Sequence, residues 1–247
     1  QYLVPQHSLS RAAGWLANTT IPWIKNPFTQ WFVKQFQIDM SEAEEENPLA
    51  YENFNAFFTR ALKQGAREIC EDKNSIVFPA DGAISQLGDI EYGRIFQAKG
   101  QDYSLTELLG GKAEIAQDFV GGTFATVYLS PKDYHRVHMP FSGKLRMMIH
   151  IPGDLFSVNE ATANHVPRLF SRNERVVAIF DTSAGPMAVV MVGAMIVASI
   201  ETVWAGQITP LAKSVREWHY PQTDVDLQKG DEMGRFKLGS TAIVLFG

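Results

Sequence analysis

The sequence predicts an α+β fold, with a helical N-terminal arm followed by a β-rich single-domain core. The 247-residue chain is 45% hydrophobic and 20% charged, which is ordinary for a packed globular protein. Apolar residues recur at helical spacing as far as Gly65, whereas from Ile76 onward they form short runs separated by turn residues. We therefore expect residues 1–65 to form a helical region and residues 66–247 to form a β-rich core.

The arm combines positive charge with aromatic side chains, because its first 38 residues contain no Asp or Glu. Its basic and aromatic residues are Arg11, Lys25, Lys34, Tyr2, Trp15, Trp23, Phe28, Trp31, Phe32 and Phe36. Asn26-Pro27 predicts a helix start, and Phe28, Phe32 and Phe36 then recur on one stripe with Trp31. Such a helix suits an anionic bilayer surface, although packing against its own domain is an open alternative.

Two further helices are predicted. The acidic run Ser41–Asn47 indicates an exposed loop or helix start, after which Phe54, Phe57, Phe58 and Leu62 share one helical face that ends near Gly65. Ser104 and Glu107 have the spacing of a capping box and predict a short helix.

The strands are predicted from short apolar runs. These runs are Ile76–Phe78, Thr123–Leu129, Lys144–Ile151, Val176–Phe180, Met187–Ile200 and Phe236–Phe246. Met187–Ile200 is shorter than the ~20 residues of a membrane span, so we expect it to form two buried strands around Gly193.

Composition excludes several classes of protein. A formal net charge of -5 and a pI near 5.7 argue against nucleic acid as a partner. Cys70 is the single cysteine, which excludes an internal disulfide framework and multi-cysteine metal sites.

Three motifs could carry chemistry. His135 and His138 lie in the segment Tyr134–His138 and could serve acid–base chemistry, hold a metal with a third ligand, or be isolated surface residues. Asp81 lies in a Pro-Ala-Asp-Gly turn, where it could either support the turn or orient a histidine. Ser240 follows a glycine in an apolar run, so it either fills a kinked strand or attacks its own preceding carbonyl.

Together these stretches resemble the bacterial phosphatidylserine decarboxylase family in its proenzyme form. The resemblance covers nearly the whole chain and is carried by PADGAISQLG (Pro79–Gly88), YLSPKDYHRVHMP (Tyr128–Pro140), PGDLFSVN (Pro152–Asn159), SIETVWAG (Ser199–Gly206) and EMGRFKLGST (Glu232–Thr241). It also implies that Pro152–Asn159 shapes the active-site pocket.

The resemblance implies cleavage between Gly239 and Ser240 by a triad of Asp81, His138 and Ser240. The β chain would end at Gly239, and the α chain would begin at Ser240. Ser240 would become a covalent pyruvoyl group, the Schiff-base centre of a decarboxylase that uses neither metal nor pyridoxal phosphate. His135 would act in decarboxylation.

The implied reaction converts phosphatidylserine to phosphatidylethanolamine and CO2, peripherally on the cytoplasmic face of the bacterial inner membrane. A homodimer is left open. The alternatives are a pyruvoyl decarboxylase of a soluble amino acid, a metal-dependent hydrolase using both histidines, and a non-enzymatic β-rich binding module. Because the chain starts at Gln1 and only eight residues run from Ser240 to Gly247, we expect the natural protein to extend beyond both ends.

Overall fold

The structure is a computed structural model that describes residues 6–98, 100–194, 199–209, 213–221, 225–237 and 240–247. The helices are α1 (Gln6–Asn18), α2 (Pro22–Phe36), α3 (Phe54–Phe58), α4 (Leu105–Leu108), α5 (Ala113–Gln117), α6 (Glu160–Ala163) and α7 (Leu169–Arg172). The strands are β1 (Ala83–Asp89), β2 (Arg94–Ala98), β3 (Gln101–Ser104), β4 (Thr123–Leu129), β5 (Arg136–His138), β6 (Gly143–Ile151), β7 (Arg175–Thr182), β8 (Gly185–Val192), β9 (Ser199–Thr202), β10 (Gly206–Gln207), β11 (Arg216–His219), β12 (Asp226–Leu227), β13 (Glu232–Lys237) and β14 (Ser240–Phe246). The α+β prediction is confirmed.

Two sheets and a hairpin make up the β structure. The main sheet has eight strands in the order β1-β4-β14-β8-β7-β6-β11, with β12 also pairing with β6. The second sheet has the order β10-β9-β13-β5, and β2 pairs with β3. The chain therefore leaves the second sheet after Lys237 and enters the main sheet at Ser240.

The central strands of the main sheet are buried on both faces. One face packs against the second sheet, where Val189 of β8 and Val244 of β14 meet Phe236 of β13 in one apolar cluster. The other face carries Val190 and packs with the β2–β3 hairpin and α4, α5 and α7. Since successive residues of a strand point to opposite faces, a sheet buried on both sides produces the unbroken apolar runs of the sequence.

The N-terminal helices pack through phenylalanine. Phe28, Phe32 and Phe36 of α2 contact the cluster of Phe54, Phe57 and Phe58 in α3. The prediction that the phenylalanine stripe faces a bilayer is therefore wrong, and the alternative of packing on the chain's own helices holds for it. In the part of the chain that is described, no helix is long and apolar enough to cross a membrane.

Helix boundaries differ from the predictions in two places. Helix α2 starts at Pro22 and contains Pro27, so Asn26-Pro27 is not the start; Pro22 already supplies a proline in the first turn. Helix α3 is capped by Asn53 and ends at Phe58, because Leu62 instead forms a β-bridge with Ala43. The Ser104 cap of α4 is confirmed.

Most predicted strands are present, with Thr123–Leu129 matching β4. Two predictions need correction. The run Ile76–Phe78 is not a strand and is largely exposed, and Phe236–Phe246 divides between β13 and β14 in different sheets. The pair around Gly193 is confirmed as β8 and β9, although residues 195–198 lie outside the described part.

Candidate active site

A cavity of about 850 Å³ contains two of the four predicted site residues, Asp81 and His138. It is lined by Leu62, Lys63, Gly65, Ala66, Arg67, Glu68, Ile69, Cys70, Ile76, Val77, Phe78, Ala80, Asp81, Gly82, Tyr134, His138 and Gly230. Neither His135 nor Ser240 is among the lining residues. The cavity therefore combines one titratable corner with a largely apolar wall.

Backbone hydrogen bonds bring the Asp81 turn to His138. The Val77 N–H donates to the carbonyl of Pro140 at 3.0 Å, and the His138 N–H donates to the carbonyl of Pro79 at 2.7 Å. These bonds hold segment 77–79 beside segment 138–140. Asp81 follows two residues later and so reaches the same cavity.

Gly82 allows the same turn to approach β4. A Cβ atom built there would lie 2.3 Å from the backbone oxygen of Tyr128, far inside van der Waals contact. Glycine is thus required sterically at position 82, because any side chain there would push the turn away from β4.

The His138 ring is fixed in one tautomer. Its Nδ1 lies 2.7 Å from the Gly230 carbonyl oxygen, which can only accept, so Nδ1 carries a proton. Its Nε2 lies 3.0 Å from the Tyr134 hydroxyl oxygen. Burial raises the pKa of Tyr134 to about 12, so this hydroxyl keeps its proton and can donate it to Nε2 when Nδ1 alone of the ring nitrogens is protonated. Nε2 is therefore the basic nitrogen of His138.

Asp81 is held by Arg67 rather than by His138. The Arg67 Nη2 donates to Asp81 Oδ2 at 2.6 Å and its Nε donates to Oδ1 at 3.0 Å. Arg67 Nη2 also bonds Glu42 at 2.8 Å, and these two carboxylates raise the pKa of the guanidinium. Asp81 thus neither supports its own turn by a side-chain bond nor orients His138 in this arrangement.

Ser240 lies at the junction between the two sheets. It is the first residue of β14, pairs with Leu129 and is fully buried. Within the described residues, its hydroxyl has no hydrogen-bond partner. By strand alternation it shares a face with Ala242 and Val244, which point into the core between the sheets. Leu238 and Gly239, and with them the predicted scissile bond, lie outside the described residues.

The sheet register places Ser240 near the Asp81 turn. Ala83 of β1 and Thr241 of β14 pair with Tyr128 of β4 from opposite sides. Two strand spacings, about 10 Å, therefore separate these backbones. The structure gathers Asp81 and His138 in the cavity and brings Ser240 to the same edge of the main sheet, but no hydrogen bond joins it to either of them.

His135 occupies a buried site of its own. Its ring is fully buried against Phe58, with the ring centroids 4.0 Å apart. Its Nδ1 donates to the Asp133 carbonyl at 2.7 Å, and its Nε2 is without a partner in the described chain. Burial chiefly, with a small effect of the Arg60 charge, lowers the pKa of His135 to about 3. The ring is therefore neutral, with Nε2 as a bare acceptor.

Sequence reasoning missed three residues that position the site. Tyr134 lies four residues before His138, a neighbour that inspection of the same motif could have suggested. Arg67 and Gly230 are 14 and 92 residues from their partners, and no local pattern announces them. The expectation that Pro152–Asn159 shapes the active-site pocket stays a prediction: no residue of this segment lines the cavity around Asp81 and His138, and Phe156 and Val158 belong to the core cluster that includes residues of α4 and α7.

No metal-binding cluster is found where the chain is described: no three or more His, Cys, Asp or Glu side chains are grouped so that they could hold an ion.

Comparison with known proteins gives consistent matches over the chain. A family model described as phosphatidylserine decarboxylase matches residues 54–247, and one described as PSD matches residues 1–37. The chain is 63% identical over 250 residues to the phosphatidylserine decarboxylase proenzyme of Pseudomonas fluorescens, covering 100% of this chain and 87% of the relative. The identity and both coverages are the same for the Pseudomonas putida proenzyme. For the Stutzerimonas stutzeri proenzyme the identity is also 63%, with 84% of that relative covered.

Proposed function

The chain belongs to the phosphatidylserine decarboxylase family, and we propose that it is a proenzyme that cuts itself at Gly239–Ser240 and then converts phosphatidylserine to phosphatidylethanolamine and CO2. The observation that carries this proposal is the match of 63% identity to curated proenzymes over the full chain. The membership favours a phospholipid over a soluble amino acid as substrate. It also favours an enzyme over a binding module.

The self-cleavage starts from the Ser240 hydroxyl. Its oxygen attacks the Gly239 carbonyl carbon, the Gly239–Ser240 C–N bond breaks, and an ester replaces the amide. Loss of the Cα proton and departure of the Gly239 carboxylate then leave dehydroalanine at the new N-terminus. Addition of water and loss of ammonia give the pyruvoyl group. This hydroxyl is buried and has no hydrogen-bond partner among the residues that the structure describes, which supports the assignment because none of those residues competes for it.

His138 is the proposed base for the first step. With Nδ1 donating to Gly230, the lone pair at Nε2 is available to take the hydroxyl proton. In the structure described, Tyr134 occupies that nitrogen, so cleavage requires this bond to open. Asp81, in the same cavity, would stabilise the imidazolium by its negative charge.

His135 is the proposed residue for decarboxylation. The pyruvoyl group derived from Ser240 would supply a carbonyl that serves as an electron sink as CO2 leaves. Because the pKa of His135 is about 3, its ring is neutral near neutral pH and would accept a hydrogen bond at Nε2. That protonation state argues against a cationic anchor for the substrate carboxylate.

We propose that the exposed tryptophans of the arm form its membrane-facing surface. Trp15, Trp23 and Trp31 are 68%, 77% and 55% exposed, and Lys34 is exposed beside them in sequence. Lys25 is not free for headgroups, because its ammonium donates to the carbonyls of Leu49 and Tyr51. We place the protein peripherally on the cytoplasmic face of the inner membrane, where these aromatic side chains enter the headgroup region.

Intact mass of the purified chains tests the proposal. The wild-type protein should give two chains, with the smaller one lighter by one ammonia than a fragment starting with serine. Ser240→Ala should remain one uncut chain, whereas Thr241→Val, which changes the neighbouring buried hydroxyl, should still be cut. Active protein should release CO2 from phosphatidylserine vesicles and not from free serine. An active preparation in which Ser240 remains an internal serine would overturn the proposal.

A further inference from the structure

The rim of the cavity carries large apolar side chains that solvent reaches. Ile69 is 43% exposed, Ile76 is 60% exposed and Phe78 is 66% exposed. All three line the cavity that holds Asp81 and His138. A cluster of exposed apolar residues at the mouth of a polar site indicates contact with something apolar.

This rim lies close to the proposed base. Ile69 packs over Gly230, where an added Cβ would come within 3.1 Å of it, and the Gly230 carbonyl accepts the bond from His138. Phe78 precedes Pro79, whose carbonyl accepts from the His138 backbone. Ile69 and Phe78 are therefore each next to a residue that hydrogen-bonds to His138: Ile69 packs on Gly230, and Phe78 precedes Pro79.

The segment that carries the rim is electrically balanced. Residues 63–78, which include all three rim residues, contain three cations (Lys63, Arg67 and Lys73) and three carboxylates (Glu68, Glu71 and Asp72). Attraction to anionic headgroups therefore cannot account for a contact made here. Any affinity of the rim for lipid must come from apolar burial.

The rim is joined to the segment that follows α2. The Leu62–Ala43 bridge and the Arg67–Glu42 ion pair tie the rim loop to residues 42–43. The rim loop is thus tied to the segment that directly follows the last helix of the proposed lipid-binding arm.

We propose that Ile69, Ile76 and Phe78 form a second membrane contact that enters the apolar layer of the bilayer around the cavity mouth. This inference rests on the proposed lipid substrate: the acyl chains could stay among the lipid tails and the rim while the headgroup enters the cavity, whose Asp81 turn lies about two strand spacings from Ser240. The contact differs in kind from that of the basic arm, because it depends on apolar burial and is insensitive to salt.

Flotation with phosphatidylcholine vesicles tests this surface. The uncut Ser240→Ala chain serves as the parent, so binding is measured without turnover. Phe78→Ser should weaken binding about tenfold, and the loss should persist at high salt. Leu87→Ser is the matched control, because Leu87 is also 66% exposed but does not line the cavity. Phe78→Leu should restore binding, and Ile76→Ser carries the test if Phe78→Ser fails to fold.

Equal binding by the serine variants and the parent would overturn the proposal. So would a shift of Phe78→Ser from oligomer to monomer with vesicle binding unchanged, since the rim would then be an interface between two copies. Binding by the uncut chain needs no chemistry, so its loss or retention is independent of whether the mature protein decarboxylates phosphatidylserine.

Discussion

The burial of His135 makes acid stability a quantitative probe of the site. Its imidazole has an ordinary pKa of 6.5, which burial lowers to about 3 in the folded chain. A proton is therefore taken up more readily by the unfolded chain. The stability contributed by the neutral ring is fully present above pH 6.5 and is lost progressively as the pH falls toward 3.

The size of the effect follows from the two pKa values. Each pH unit between them costs about 1.4 kcal/mol, so a change from about pH 7 to about pH 4.5 should lower the free energy of unfolding by about 3 kcal/mol. His135→Gln removes this group. Over the same pH change, the free energy of unfolding of this variant should therefore fall by about 3 kcal/mol less than that of the parent.

Urea unfolding at the two pH values measures the difference. The Ser240→Ala background keeps a single uncut chain, and carboxylates titrate equally in every variant. His219→Gln is the control, because it makes the same substitution at a histidine whose side chain is 66% exposed instead of buried. If His135→Gln and the parent lose the same free energy on acidification, His135 is not a buried neutral ring and the role assigned to its Nε2 fails.

The remaining predictions concern the separation of the two reactions and the turn beside the site. His138→Ala should stay uncut, because no base remains to take the serine proton; cutting at the parental rate, seen on a denaturing gel, would contradict this. His135→Ala should mature to some extent yet decarboxylate poorly, and equal loss of both reactions would contradict the separation. Gly82→Ala should lower the free energy of unfolding by about 3 kcal/mol through its clash with Tyr128. Gly88→Ala, in the strand that follows this turn, meets only an ordinary 3.6 Å contact and should change it by less than about 1 kcal/mol. Equal urea midpoints for the two variants would show that the turn moves freely.

Local patterns predicted the strands and caps well because their causes are local. Thr123–Leu129 is buried on both faces and reads as an apolar run, and Ser104 caps the helix that follows it. The split of Phe236–Phe246 was missed, because two consecutive apolar strands look alike whether or not they belong to one sheet. The prediction of Ile76–Phe78 as a strand failed for a similar reason, because a short apolar run looks the same in the sequence whether it is buried or, like Phe78, exposed.

The site shows the same division. The motifs named Asp81, His135, His138 and Ser240, but their partners are set by tertiary contacts. Arg67 reaches Asp81 across 14 residues, and Gly230 reaches His138 across 92. Periodicity cannot reveal such pairs. The HxxH spacing did predict one feature of the site, because extended backbone sends the two histidines in different directions. His138, the last residue of β5, lines the cavity, whereas His135, just before β5, does not.

Strand β14 has a neighbour on each side, β4 and β8, along nearly its whole length. Cleavage of the backbone just before such a strand would create a new N-terminus but would not release the strand from the sheet. The piece that begins at Ser240 would stay hydrogen-bonded between β4 and β8. Size-exclusion chromatography under native conditions would therefore not distinguish the precursor from the product. The two chains would separate only when the protein unfolds. Maturation would therefore leave the folded shape unchanged and would be detected only by the altered covalent structure.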